Sequence, residues 1–194
     1  AIVLNNRLLN ERQAQLLRDK IRMLEQRIMD MIRNVNENMV LSDKLLLWAR
    51  SLFLNTDVLA LPQLIADGIA DQFSVPQVGI KVWGVAPAYV ACPFALGVSD
   101  DAKSFATSLT EPFCGVNTGL EAISWLPEPQ AVVSLAILPL RSTPVGAALS
   151  GGIAPAFGLL VLASPDAQRF ASTMGTDFLA RIAELASAAL ARLR

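Results

Sequence analysis

AVVSLAILPL (residues 131–140) and FGLLVLA (residues 157–163) are apolar at both parities of an extended chain. A strand with one wet face alternates, whereas one apolar on both faces needs cover above and below. Both stretches therefore read as central strands of a covered sheet. Between them, Arg141 to Pro155 is rich in Gly, Pro, Ala and Ser and reads as a long hairpin loop. Working outward, Val78, Ile80 and Val82 alternate with Gln77, Gly79 and Lys81, the pattern of a half-buried strand. Tyr89 to Val98 is expected to supply another strand, interrupted at Pro93, and Glu111 to Val116 a short extended piece. Ser99, Asp100 and Asp101 cap a short helix through Leu109, and Gly119 to Leu126 reads as a further short helix. Ser164-Pro165-Asp166 stops the last strand. A closing helix from about Thr176 aligns Phe178, Leu179, Ile182, Leu185, Ala186, Ala189, Leu190 and Leu193.

Upstream of the first strand the period is helical. Pro62 is tolerated in the first turn of a helix running to Phe73, whose apolar face is Leu61, Leu64, Ile65, Ile69 and Phe73. Asn55-Thr56-Asp57 supplies a break and an N-cap before it, and a helix from Leu41 to Leu54 precedes the break. The resulting order, helices then strands mixed with helices, is α+β: a mostly antiparallel sheet with helices on both faces.

Before Leu41, from about Asn5 to Val40, apolar residues recur at alternating steps of three and four: Ala14, Leu17, Ile21, Leu24, Ile28, Met31 and Val35. β-Branched Ile21, Ile28 and Val35 fall at a, and Leu17, Leu24 and Met31 at d, which favours a parallel two-stranded coiled coil. Lys20 at g and Glu25 at the following e attract across such a dimer. Asn10 and Asn38 take d positions at the two ends, so the seam is confined to about four heptads. The competing reading is one amphipathic helix folded back on its own domain, kept open by Met23 at c and Ile32 at e. The expected division is residues 1–40 as coiled coil and 41–194 as one globular domain.

Of the 194 residues 53% are hydrophobic and 17% charged, enough apolar material for one sizeable core. Ala131 to Ala163 is the greasiest region, but Pro139, Arg141, Pro144, Gly151, Gly152 and Pro155 cut it well short of the roughly 20 apolar residues a bilayer span needs. Residues 1–50 hold nine Lys/Arg against six Asp/Glu, and the net charge is −1. That surplus is too small for nucleic-acid binding driven by counterion release. The absence of histidine removes Ser-His-Asp and Cys-His catalysis and His-ligated metals together. Cys92 and Cys114 form no C-x-x-C, and two thiols without a secretory signal point to a reducing, cytoplasmic setting. No metal ligand set, cofactor motif or catalytic group is expected. The chain opens at Ala1 rather than Met, so residues are expected to precede it.

Four stretches carry a resemblance: Glu111-Pro112-Phe113-Cys114-Gly115, Ser134 to Leu140, Gly158 to Ser164, and Arg169-Phe170 with Met174 to Leu179. Together with the leader from Leu17 to Asn38 they resemble a bacterial GAF-like family, domain of unknown function four-eight-four. The resemblance covers nearly the whole chain. It departs at Ala163, where the family ordinarily carries Gly, and in the longer loop from Arg141 to Pro155. It implies a GAF-like body, with a central antiparallel sheet packed by terminal helices on one face and roofed by short helices over a pocket on the other. It implies a dimer and brings no catalytic residues.

On that picture Val133, Leu135 and Ile137 are expected to face the terminal helices, and the smaller Ser134 and Ala136 to leave space beneath the roof. Phe105, Phe113, Cys114, Val116 and Trp125 are the expected walls of a ligand pocket there. Arg141 with Ser142-Thr143 is a candidate anion holder, weighed against plain solvation. Glu121 and Glu128 flank Trp125 but straddle Pro127, so they are not expected to converge as an acid/base pair. The expected function is a non-enzymatic, dimeric sensory module for a small molecule or a partner protein. The alternatives are a structural dimerisation scaffold without ligand, and a thiol reductase. GAF-like enzymes that reduce methionine sulfoxide use cysteines in this pocket, which would make Cys114 the reactive group.

Overall fold

The structure is a computed structural model that describes residues 2–142, 154–172 and 176–194. Most of the Arg141–Pro155 loop and the Met174-Gly175 pair lie outside the described residues. The chain divides into two compact units, residues 1–44 and 45–194.

Four antiparallel strands make one sheet in the order β1-β4-β3-β2: β1 (Gln77–Val82), β2 (Phe113–Val116), β3 (Ser134–Arg141) and β4 (Ala156–Ser164). The doubly apolar strands are the two central ones, as their patterning requires, and every residue of both except Arg141 is buried. Pro139 sits in a central strand without breaking a ladder. Odd-numbered residues of β3 face β2, and β2 ends where Phe113 meets Ile137, so no carbonyl awaits a donor at position 139. Gly158 is needed where β4 crosses β1: a Cβ there would stand 2.8 Å from the Lys81 carbonyl oxygen.

Each face of the sheet has its own cover. Leu135, Ile137, Leu159 and Val161 pack with Ala106 of α3 (Asp100–Ser108) and with Ala122, Ile123 and Leu126 from the 3-10 turn Glu121–Trp125 and its exit. On the other face α2 (Leu61–Phe73) packs on β1 and α4 (Asp177–Leu190) on β3. Phe73 and Phe178 lock these two helices edge to face, with ring centroids 5.1 Å apart. The α+β architecture with an antiparallel sheet between helices is thus as expected.

Several elements differ from their sequence reading. The helix expected to end at Val40 and the one expected from Leu41 form a single α1 (Ile2–Leu54). Nothing between Val40 and Leu45 breaks a helix, since there is no Gly or Pro. Tyr89 to Val98 is not a strand: a 3-10 turn (Pro87–Tyr89) and successive turns occupy it, with Gly97 at φ 75°. Pro93 denies it a donor, and its backbone closes turns on itself, the Cys92 N–H donating to Tyr89 and the Ala95 N–H to Cys92, while Phe94 meets the edge of β1 at Val82. The helix expected over Gly119–Leu126 is the short 3-10 turn already described. Asn55 and Asp57 do not cap α2. They close turns on their own backbone, Asn55 Oδ1 accepting from the Asp57 N–H at 3.2 Å and Asp57 Oδ1 from the Leu59 N–H at 3.0 Å. Ser99 does cap α3, its hydroxyl accepting from the Ala102 N–H at 3.1 Å.

Candidate functional site

The residues of the expected seam lie on α1. Leu17, Ile21, Leu24, Ile28, Met31 and Val35 are 54–66% exposed in the single chain. The polar side chains tie to each other elsewhere on the helix. Gln15 donates to Asp19 at 3.1 Å, Gln26 to Asp30 at 3.2 Å, and Arg33 pairs with Asp30 at 2.8 Å. All of these occupy b, c and f positions, so the polar ties run along the outer face and leave a and d apolar.

The seven expected pocket residues do not converge. Leu135 and Ile137 face the roof helices, the reverse of the expected orientation. Phe105 and Trp125 pack against that same cluster, and Phe113 stands opposite Ile137 on the same face. Ser134 and Ala136 therefore point to the opposite face, opposite Val116 and Cys114 respectively. Ser134 is fully buried, donating to the Asp166 carbonyl at 2.6 Å and accepting from the Phe170 N–H at 3.4 Å. Val116 lies at the sheet edge, 60% exposed. The roof-side interior is filled by large side chains, and residues that were to leave space are instead pinned beneath the terminal helices. Because both faces of β3 are apolar, parity alone did not say which face was which.

Cys114 is buried, and that burial pushes its thiol above its ordinary pKa. Desolvation alone sets the shift among the described residues, and it disfavours the nucleophilic thiolate.

Thr143 of the candidate anion holder lies outside the described residues, and Arg141 is partly buried. Its guanidinium reaches the C-terminal end of α3, donating to the carbonyls of Ala106 (3.1 Å), Thr107 (3.0 Å) and Leu109, and to Ala154. Its partial burial lowers its pKa without threatening the charge. The same device recurs. Arg169 donates to the Phe73 carbonyl at the end of α2 at 2.5 Å, and Arg192 to the Asn55 carbonyl just past α1 at 3.1 Å. None of these three helices has a basic residue in its own last turn, so distant arginines satisfy the orphan carbonyls and the dipole. Sequence reading missed this because the partners lie up to 137 positions apart.

Glu121 and Glu128 do not form an acid/base pair. Glu121 accepts from the Ser99 N–H at 2.9 Å and from the Ser99 hydroxyl, bonds that hold its carboxyl below the usual glutamate range. The Glu128 backbone is clasped by the Gln77 side chain, at 2.8 and 3.0 Å.

A groove that no motif announced runs along the free edge of β1. Its volume is about 710 Å³. Val78 to Lys81 form its floor. Pro62, Ala66 and Ala70 of α2 line one wall, and Pro93, Phe94, Trp125 and Pro127 the other. Among the described residues no three His, Cys, Asp or Glu side chains gather as a metal site. No helix among them is long and apolar enough to cross a membrane.

With this geometry in place, comparison with known proteins adds the following. The family described as "Protein of unknown function, DUF484" matches over residues 5–194. No curated protein matches. Among solved structures, the free methionine-R-sulfoxide reductase of Neisseria meningitidis, determined by X-ray with its substrate, is similar at 16% identity. That similarity covers 78% of this chain and 88% of that one, with a TM-score of 0.48.

Proposed function

The chain belongs to the DUF484 family of proteins of unknown function, and from that premise we propose that it is a homodimeric regulatory module that acts by binding. The observation that carries this reading is the α1 seam: six apolar residues at heptad spacing, each more than half exposed in one protomer. Pairing two such helices in parallel removes both stripes from water and sets Lys20 of one against Glu25 of the other. Stacked a/d layers have discrete alternative packings, so a partner or ligand that biases the body can shift the helix pair between them. Two free thiols suit a reducing compartment, and we place the module in the cytoplasm.

The module is proposed to do no chemistry of its own. The buried, pKa-raised Cys114 supports this against the thiol-reductase alternative. Replacing it, Cys114→Ser, is expected to leave sulfoxide turnover at background in both proteins. Turnover by the parent that the variant loses would reinstate the enzyme. Close packing between the sheet and its roof favours a protein partner over a small molecule beneath that roof. The test of the dimer is sedimentation of the full chain beside the double variant Ile21→Asp, Ile28→Asp. The parent is expected at twice the protomer mass and the variant at the protomer mass; a parent that sediments as a protomer overturns the reading.

A further inference from the structure

The edge of β1 that faces away from β4 carries its own chemistry. The Trp83 N–H donates to the Phe157 carbonyl at 2.7 Å, so odd-numbered residues of this strand bond to β4. Even-numbered residues turn their N–H and C=O groups outward. At Val82 the chain itself has begun a further row: the Val82 N–H donates to the Phe94 carbonyl at 2.9 Å. Phe94 belongs to the turn segment that forms one wall of the groove. At Val78 and Ile80 the row is empty, and no partner among the described residues meets either N–H or either C=O. An edge of this kind is a template for another strand.

The groove decides what can use it. The floor from Gln77 to Val82 is six residues, about 17 Å of strand. The walls rise on both sides of the edge, α2 on one and Trp125, Pro127 and Phe94 on the other. A groove with walls on both sides of the strand edge suits a single extended segment. Charge narrows the occupant further. Lys81 lines the groove, but its ammonium is held by the carbonyls of Pro93 (2.6 Å) and Leu96 (2.8 Å), and burial lowers its pKa. Asp67 lines it too, accepts one bond from Gln63 at 2.7 Å, and has no ion-pair partner among the described residues. Lys81 keeps its charge but turns its donors to those carbonyls, which leaves the Asp67 carboxylate as the charged group a newcomer can pair with.

We propose that this groove binds an extended segment of another protein, which adds as a strand to β1 at Val78 and Ile80 and places a Lys or Arg side chain at Asp67. The apolar walls take the segment's small apolar side chains, and its backbone supplies the donors and acceptors the edge lacks. The site lies within residues 45–194 and does not depend on pairing of α1, so either reading can fail alone.

The experiment uses the isotope-labelled full chain and a display library of random linear peptides. Selected peptides are expected to carry a Lys or Arg, to shift the amide resonances of Val78 and Ile80, and to slow their hydrogen exchange. Methylating the peptide amides that face β1 keeps every side chain and is expected to weaken binding about tenfold or more. Asp67→Asn is expected to weaken it several-fold. Ile80→Pro removes one outward donor while leaving the bonds of Gly79 and Lys81 to β4, and is expected to abolish binding. If that variant misfolds, the methylated peptides still decide the matter. The proposal is overturned if the library yields no binder, if binders map away from β1, or if amide methylation changes nothing. It is also overturned if the Val78 and Ile80 amides become protected with rising protein concentration alone, which would assign the edge to a second copy.

Discussion

In β3 and β4 all residues except Arg141 are buried, whereas between Leu17 and Val35 every a and d residue of α1 is more than half exposed. Both regions are rich in Leu, Ile and Val. The difference lies in what each has to pack against. The strands find helices from their own chain on both faces, so their burial is intramolecular and independent of concentration. The helix carries a stripe of matching period whose residues are exposed. A domain that completes its own core can hold a second, incomplete surface in reserve for association.

Four variants and one titration probe that contrast, from the largest expected effect to the smallest. Leu160→Ala empties a fully buried site in β4 and is expected to cost about 2–5 kcal/mol. Its thermal midpoint should fall equally at every protein concentration. Ile21→Asp with Ile28→Asp is expected to weaken dimerisation by roughly a hundredfold, or about 3 kcal/mol, by placing carboxylates in the seam. It should leave the near-ultraviolet dichroism of the body unchanged. A seam variant that instead unfolds the body would erase the distinction.

Gly68→Ala locates the border between the two regions. A Cβ at Gly68 would lie 2.5 Å from Cδ1 of Trp48, a residue of α1 that is only 1% exposed. A loss of about 1–3 kcal/mol is expected, read by denaturant unfolding and independent of concentration. That outcome would show that the last turns of α1 belong energetically to the body. Arg141→Met removes the cation that satisfies the end of α3, and about 1–2 kcal/mol is expected to go. Exchange should quicken at the amides around Leu109 and stay unaltered in α1.

The smallest effect is a pH dependence from Glu121. Its bonds from Ser99 lower its pKa in the folded state relative to the unfolded chain. The resulting stabilisation is present above the unfolded value and is lost as pH falls through the folded one. Glu121 is almost fully exposed, so solvent screening leaves the contribution small. Acidifying from neutral pH should loosen the contact between α3 and the Glu121–Trp125 turn, seen as faster exchange at Ala102. Glu121→Gln should show a flatter profile.

Much of this was legible in the residues. The strand over Gln77–Val82, double apolarity in the central strands, the Ser99 cap and Pro62 in a first turn are local signals that appear where expected. Burial in that edge strand does not alternate, however, Gly79 being buried and Val78 and Ile80 half-buried. What stayed hidden is non-local. The Tyr89–Val98 segment has strand-like composition, but its backbone turns on itself and meets β1 at Phe94. Ser134 and Ala136 look like space-makers only if the face they occupy is known, and a strand apolar on both sides carries no such label. Arg141 reads as an exit-loop cation until α3, 35 positions earlier, is brought to it. The groove along β1 is also assembled from distant pieces, and its functional part is backbone that any sequence of strand-forming residues provides.

The most direct test is sedimentation equilibrium of the full chain over a concentration series, run beside the Ile21→Asp, Ile28→Asp variant. The account predicts a parent that approaches twice the protomer mass and a variant that stays at the protomer mass with its body folded. A parent that remains a protomer at high micromolar concentration, or a variant that dimerises as well as the parent, would contradict it.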